Sequence, residues 1–229
     1  MKISGSGTLS EGKINDEIRV SGSVKLKGNL ECEGFQSSGS LRGEGNLTVH
    51  GDIKSSGSFR TTGSIYGDGN FRSSGSTSIE GEVLIKGTLE SSGSFRAGKK
   101  VRAIQSIKIS GSSHINGELS SQDTILLTGS STIYGNVIGN HVSIGHEPRL
   151  SIGVYKHPNK IYGNISSRTI VDITKTLVDG DIKGFNVNIG RGSEITGNVY
   201  YVNEIEVNKK VILANDPIKI SQEELYQQI

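Results

Sequence analysis

A glycine every six residues is the feature that most constrains the fold of this chain. Of the 17 positions spaced by six from Gly39 to Gly135, 14 are glycine. This period is nested in one of 18, because the segment Ser-Ser-Gly-Ser begins at residues 37, 55, 73 and 91. Similar segments at Ile3 and Val20 fit steps of 17. Such a repeat indicates a solenoid, in which each repeat stacks on the next.

The residues between the glycines alternate in polarity with a period of two. The residue two after each glycine position is apolar in 14 of 17 cases, and Ser, Arg, Lys, Asp and Asn fall between the apolar residues. This alternation is typical of strands with one buried face, and glycine is too frequent for helices. Three six-residue sides per turn predict an all-β, single-domain, three-sided parallel β-helix of 17–18 residues per coil. About twelve coils would make a rod of about 55–60 Å.

Stacked coils place like residues in columns. The polar exceptions Thr77, Ser113 and Ser131 all fall in one inward column. Cys32 also lies at an inward position, which predicts a buried, inert thiol. The three expected inward columns are Leu41, Phe59 and Phe95; Leu47, Ile65, Val83, Val101 and Leu119; and Ile53, Phe71, Leu89, Ile107 and Ile125.

The repeat weakens after Gly135. We predict a β-helix over residues 1–216 with an inserted loop at about 146–160, and a C-terminal cap segment over 217–229. Ser221 and Glu224 have capping-box spacing, which predicts a short helix in that segment. The period leaves the handedness open, because hexapeptide repeats wind left-handed in acyltransferases whereas the general crossover rule favours right-handed connections.

Composition excludes several classes of protein. A thin triangular core needs little apolar mass, which accounts for a hydrophobic content of only 32%. The net charge is +2, and 25 basic against 23 acidic residues predict no nucleic-acid partner. No apolar run has the length of a membrane helix, and no signal peptide is recognisable at the first residues. The single cysteine is typical of a reducing compartment, so we expect a cytoplasmic protein.

The density and length of this array resemble those of the bactofilins, the polymer-forming cytoskeletal proteins of bacteria. The motifs are ISGSG at Ile3, VSGSV at Val20, GDI at Gly51 and GNV at Gly135, and the resemblance extends to about Ile212. It implies a right-handed, three-sided parallel β-helix that joins end to end into filaments without nucleotide. It also implies a cytoplasmic, often membrane-associated scaffold that positions client proteins, with itself and a related bactofilin chain as partners.

We expect no enzyme, and no catalytic, cofactor or metal site. The alternative is a hexapeptide-repeat acyltransferase on a left-handed β-helix, with a histidine near the inserted loop as general base. His141, His146 and His157 bracket that loop but lack a recognised metal-ligand spacing. A third alternative is a passive carbohydrate-binding solenoid. Regular serine columns also raise the hypothesis of ordered water, although structural hydroxyls are the simpler interpretation.

Two sets of residues are candidates for interaction. The two ends of a β-helix leave strand edges without a stacked partner, which favours joining to another copy. Arg42, Arg60 and Arg96 share one outward column, interrupted by Ser78, that could contact phosphates, lipid headgroups on a membrane surface, or an acidic partner. The residues predicted to form the polymer interface are Ile3, Leu9, Phe185, Val187, Val211, Ile212 and Leu213.

Overall fold

The computed structural model describes residues 1–145 and 159–227. The chain is a β-solenoid of about 11 turns in which nearly all structure is parallel β, with a single short helix in the described C-terminal segment. The predicted fold class is therefore confirmed, and the number of coils is close to the expected twelve. At about 4.8 Å per coil, the rod is roughly 50 Å long.

The strands are short because a corner follows every few residues. In the first half of the chain they are β1 (Lys2–Ile3), β2 (Ser6–Val20), β3 (Ser23–Ser37), β4 (Ser40–Glu44), β5 (Leu47–Val49), β6 (Ile53–Ser55), β7 (Ser58–Thr61), β8 (Ile65–Gly67), β9 (Phe71–Ser73), β10 (Ser76–Ile79), β11 (Val83–Ile85), β12 (Leu89–Ser91), β13 (Ser94–Ala97) and β14 (Val101–Ala103).

The second half continues the pattern and ends in helix α1 (Gln222–Gln227). Its strands are β15 (Ser106–Ile109), β16 (Ser112–Ile115), β17 (Leu119–Ser121), β18 (Thr124–Leu127), β19 (Ser130–Ile133), β20 (Val137–Ile144), β21 (Asn159–Ile161), β22 (Ile165–Ile173), β23 (Thr176–Val178), β24 (Ile182–Ile189), β25 (Glu194–Ile195), β26 (Val199–Val207), β27 (Ile212–Leu213) and β28 (Ile218–Lys219).

From β4 to β17, each strand pairs in parallel with the strand three places further along the chain, which defines three faces. Longer strands at the two ends of the chain, such as β3 and β22, extend over more than one face and pair with strands one or two places away. Strands β4, β5 and β6 pair with β7, β8 and β9. We call these the first, second and third face of the rod. Because the registers are in steps of 17 or 18 residues, residues of the same type stack in columns, as the sequence predicts.

The core is a narrow apolar column along the axis of the rod. All members of the three predicted inward columns are at most 1% exposed. Phe35, Phe59, Phe71 and Phe95 meet edge to face, with ring centroids 6.0–6.4 Å apart. The polar exceptions are satisfied within the core, since the Thr77 and Ser73 hydroxyls lie 2.6 Å apart and Ser113 donates to Ser131 at 2.8 Å.

Two kinds of residue form the corners between the faces: glycine, and asparagine or aspartate. A Cβ on Gly75 would lie 2.0 Å from the carbonyl oxygen of Gly57, so only glycine allows coils to stack this closely here. At another corner, the Asn164 side-chain oxygen accepts the Asp181 N–H, and Asp181 Oδ1 accepts the Asn198 N–H, both at 2.8 Å. Side chains thus continue the coil-to-coil hydrogen bonds where the strands end.

The stack continues across the predicted insertion. Ile133 pairs with Ile161 in parallel, a step of 28 residues in place of 17 or 18. Residues 146–158 lie outside the described residues, so most of the predicted loop is not addressed. Asn159 and Lys160, at the approximate end of the predicted loop, belong to β21.

The predicted C-terminal helix is present. The Ser221 N–H donates to Glu224 Oε2 at 2.8 Å and the Glu224 N–H donates to Ser221 Oγ at 3.2 Å, which is a capping box. Leu225 is the buried residue of this helix, with no exposed surface, and the helix packs against β24.

Candidate functional site

The first face carries an outward column of cations. Arg42 pairs in register with Arg60, Ser78 separates Arg60 from Arg96, and Arg96 pairs with His114. The three arginines are exposed. The structure therefore brings the predicted arginine residues into one column, at a spacing of one or two coils.

The column is longer than the sequence analysis indicated. Lys25 pairs with Arg42, and Lys160 follows His114 after one intervening threonine, Thr132. We call Lys25, Arg42, Arg60, Arg96, His114 and Lys160 the basic column. Lys25 could have been found from the frame of VSGSVK, whereas Lys160 was hidden by the 28-residue step.

A second outward column on the same face consists of serine. Ser40, Ser58, Ser76 and Ser94 follow one another in register, with Ser23 before them and Ser112 after them. We call these six residues the serine column. The basic and serine columns run side by side along the first face, because residues two apart in a strand point to the same side.

Several charges on the other faces are paired along the rod. Lys13 contacts Glu31 at 2.6 Å, Glu31 contacts His50 at 2.9 Å, His50 contacts Asp68 at 3.0 Å, and Asp68 contacts Lys86 at 2.8 Å. We call these five residues the charge ladder. Within the described ranges, no residue of the basic column forms such an ion pair.

His50 lies at the centre of the charge ladder, with both ring nitrogens against carboxylates. Hydrogen bonds to Glu31 and Asp68 raise the pKa of His50, and desolvation opposes them. The same contacts, together with Lys13 and Lys86, lower the pKa values of Glu31 and Asp68. The contacts favour a protonated His50, because only the imidazolium can donate to both carboxylates.

Exposed aromatic residues lie beside the far end of the basic column. The rings of Tyr134 and Tyr162 stack with centroids 4.9 Å apart and planes 8° from parallel, and His114 meets Tyr134 at 5.4 Å. The sequence analysis did not single out these tyrosines. The signal was the recurrence of IYGN at Ile133 and Ile161, which puts both tyrosines at the same position of their coils.

A groove with a volume of about 800 Å³ runs along the corner where the third face meets the first. Serines line one side, including Ser56, Ser74 and Ser92. The other side carries the cations Arg19, Lys54, Arg72 and Lys108 and the carboxylate of Glu90, which contacts Arg72 at 3.0 Å and Lys108 at 3.9 Å. Arg19 contacts Glu17 at 2.7 Å and Lys54 contacts Asp52 at 3.8 Å, so most cations of the groove are ion-paired, although the lining itself is net positive.

The N-terminal end of the rod exposes a strand edge. One edge of β2 pairs with β3, whereas the other meets only the two residues of β1, opposite Arg19 and Val20. Among the predicted interface residues, Ile3 is half-buried in β1. Leu9 is only 4% exposed and belongs to the core, so its side chain is not part of an end surface.

Helix α1 lies near the C-terminal end and packs against β24, which is paired on both sides by β22 and β26. Val187 does not lie at this end, because it pairs with Val171 on one side and Ile205 on the other and has no exposed surface. The remaining predicted interface residues are Phe185, Val211 and Leu213, which are half-buried, and Ile212, which is 63% exposed.

The other candidate groups are separated. His50 belongs to the charge ladder, His114 to the basic column and His141 to β20, while His146 and His157 lie outside the described residues. Cys32 is 1% exposed, and burial raises the pKa of its thiol to about 12. In the described ranges there is no group of three or more metal-ligating side chains.

Comparison of the chain with protein-family models, with characterised proteins and with solved structures finds no match. The fold itself defines the class, which is that of the three-sided parallel β-solenoids. The helix of the described part is too short to cross a membrane.

Proposed function

We propose that this protein is a non-enzymatic, bactofilin-like scaffold that associates end to end without nucleotide in the cytoplasm and positions other proteins. The observation that carries the proposal is the open edge of β2, from Ser6 to Ile18, at the N-terminal end of a rod whose inner strands are paired on both sides. Unpaired backbone groups at a strand edge bind another strand when nothing covers them.

The direction of the free backbone groups follows from the register. The Ser40 N–H donates to Gly22 on the preceding coil at 2.9 Å, and Ser40 corresponds through Ser23 to Ser6. The N–H groups of Ser6 and Thr8 therefore point out of the N-terminal end. A second copy, or a related chain, could continue the stack at this edge.

The difference between the two ends determines the kind of assembly. Helix α1 packs against β24 near the C-terminal end, where residues 204–207 of β26 also pair on one side only. The N-terminal edge is the longer one, because β1 pairs with only two residues of β2. Joining through this edge alone gives a two-fold dimer, whereas filaments also require the C-terminal end to join. A histidine-dependent acyltransferase has no comparable support in the described residues.

The test is assembly of Thr8→Pro compared with Thr8→Ala. Proline removes the outward-pointing N–H and its ring blocks strand addition, whereas alanine keeps the N–H. We expect the wild-type chain and Thr8→Ala to form dimers or longer rods in sedimentation and negative-stain electron microscopy. Thr8→Pro should remain monomeric with a similar circular dichroism spectrum. Monomeric wild-type protein, or a Thr8→Pro variant that assembles like wild type, would overturn the proposal.

A further inference from the structure

We infer that the first face binds a linear acidic polysaccharide that lies along the rod, with its carboxylates on the basic column and its hydroxyls on the serine column. This inference does not rest on the proposed assembly, because it concerns the side of the rod and not its ends. The net charge of the chain is only +2, so composition alone does not indicate a basic surface. The basic column is nevertheless locally positive, because the ion pairs lie on other columns.

The positive charge of the basic column is available to a ligand. Arg42, Arg60 and Arg96 are exposed, and none of them forms an ion pair in the described structure. By contrast, Lys13, Lys86 and Lys100 each contact a carboxylate on another part of the rod. Unpaired guanidinium groups are well suited to bind carboxylates, since each can donate two parallel hydrogen bonds.

The basic column is long, narrow and regularly spaced. From Lys25 to Lys160 it spans seven coil steps, which is roughly 34 Å at about 4.8 Å per coil. The cations form a single file at repeated intervals, because they occupy one position of successive coils. A polymer whose anionic groups also repeat at short intervals matches such a file better than an irregular acidic protein surface does.

Hydroxyl groups lie on one side of the basic column and carboxylates lie on the other. The serine column supplies hydroxyls that can donate and accept hydrogen bonds, as the hydroxyls of a sugar do. Glu44 and Glu80 lie on the other side, two residues after Arg42 and Ser78; Glu44 ends β4 and Glu80 directly follows β10. These carboxylates would repel a broad anionic surface such as a membrane, whereas a narrow chain can avoid them.

Nucleic acid fits this face less well. Single-stranded nucleic acid is usually bound by aromatic side chains on which its bases stack. No aromatic residue belongs to the basic column from Lys25 to Arg96 or to the serine column beside it. Tyr134 and Tyr162 lie further along the rod and stack on each other.

The test compares two triple variants with the same net charge. The first replaces Arg42, Arg60 and Arg96 by serine, which the chain itself places in this column at Ser78. The control replaces Lys13, Lys86 and Lys100 by serine and so removes three ion-paired cations from elsewhere. Binding of a fluorescent alginate oligosaccharide is measured by anisotropy in about 50 mM salt, where screening is modest.

We expect the wild-type chain and the control to bind within about twofold of each other, and the arginine variant to bind at least about tenfold more weakly. Equal losses in both variants would overturn the inference, because they would show attraction to net charge alone. Absence of alginate binding by the wild-type chain would also overturn it. Tighter binding to oligo(dT) or to phosphatidylglycerol vesicles than to alginate would assign the face to nucleic acid or to membrane instead. Melting curves verify that both variants are folded.

Discussion

The carbonyl oxygen of Gly57 lies 2.0 Å from the point that a Cβ of residue 75 would occupy. The same relation recurs at successive coils, since a Cβ on Gly93 would lie 2.0 Å from the oxygen of Gly75. This distance is far shorter than any real contact, so the backbone would have to move. Glycine recurs every six residues because the backbones of successive coils come too close at these positions for a side chain to fit.

Substitution of Gly75 by alanine should destabilise the rod. We expect a lower melting temperature, with a loss of about 1–3 kcal/mol or more, because the added methyl group forces neighbouring coils apart. Gly5→Ala is the matched control, since a Cβ at Gly5 meets nothing within 4 Å. Equal melting temperatures for the two variants would contradict this explanation of the repeat.

The asparagine and aspartate corners can be tested at Asp181. In Asp181→Ala the Asn198 N–H loses its acceptor at 2.8 Å, and we expect a loss of about 1–3 kcal/mol in the free energy of unfolding. Asp181→Asn keeps an acceptor oxygen at that position and should retain most of the stability. Chemical denaturation of the two variants would measure the difference. Similar losses in both would show that charge matters here more than the hydrogen bond.

The charge ladder predicts a pH dependence of stability. The pKa of folded His50 is raised above its ordinary value of 6.5 by Glu31 and Asp68. Its contribution is therefore fully present below about pH 6.5 and is lost as the pH rises through the folded-state pKa. We expect the melting temperature of the wild-type chain to exceed that of His50→Gln at pH 5.5 and to approach it at alkaline pH. A difference independent of pH would refute this assignment.

Detachment of helix α1 tests whether this helix limits the length of the assembled rods. Leu225→Asp places a charge where the side chain has no exposed surface, so helix α1 should detach from β24. If end-to-end association is the function, this variant should form longer rods than the wild-type chain in electron microscopy. Glu223→Ala, at an exposed position of the same helix, is the control. Rods of unchanged length in Leu225→Asp would show that the helix does not limit assembly.

Most of the fold could be predicted from the sequence, because each coil repeats the same local rule. The inward columns, the three faces and the capping box of Ser221 and Glu224 all follow from periodicity and spacing. The burial of Leu9 and Val187 was missed, since it depends on which residues cover the coils near each end. Repeats describe the interior of such a rod better than its ends.

The charge pairing was harder to predict. The carboxylates look scattered along the sequence, yet Glu31 and Asp68 bind the same histidine from the coils on either side. Contacts at the corners follow steps of 18 and 19 residues, so no single period shows them. Lys160 and Tyr162 were missed because a longer step precedes them.

The pairing of Ile133 with Ile161 has a practical consequence. The stack keeps its register although 28 residues separate these two positions, against 16 to 18 in the coils that do not include this segment. The entropic cost of lengthening a connection grows only slowly with its length. Strands β20 and β21 lie away from both ends of the rod. A fluorescent reporter joined between them is therefore expected to leave both ends available for imaging assembly in living cells.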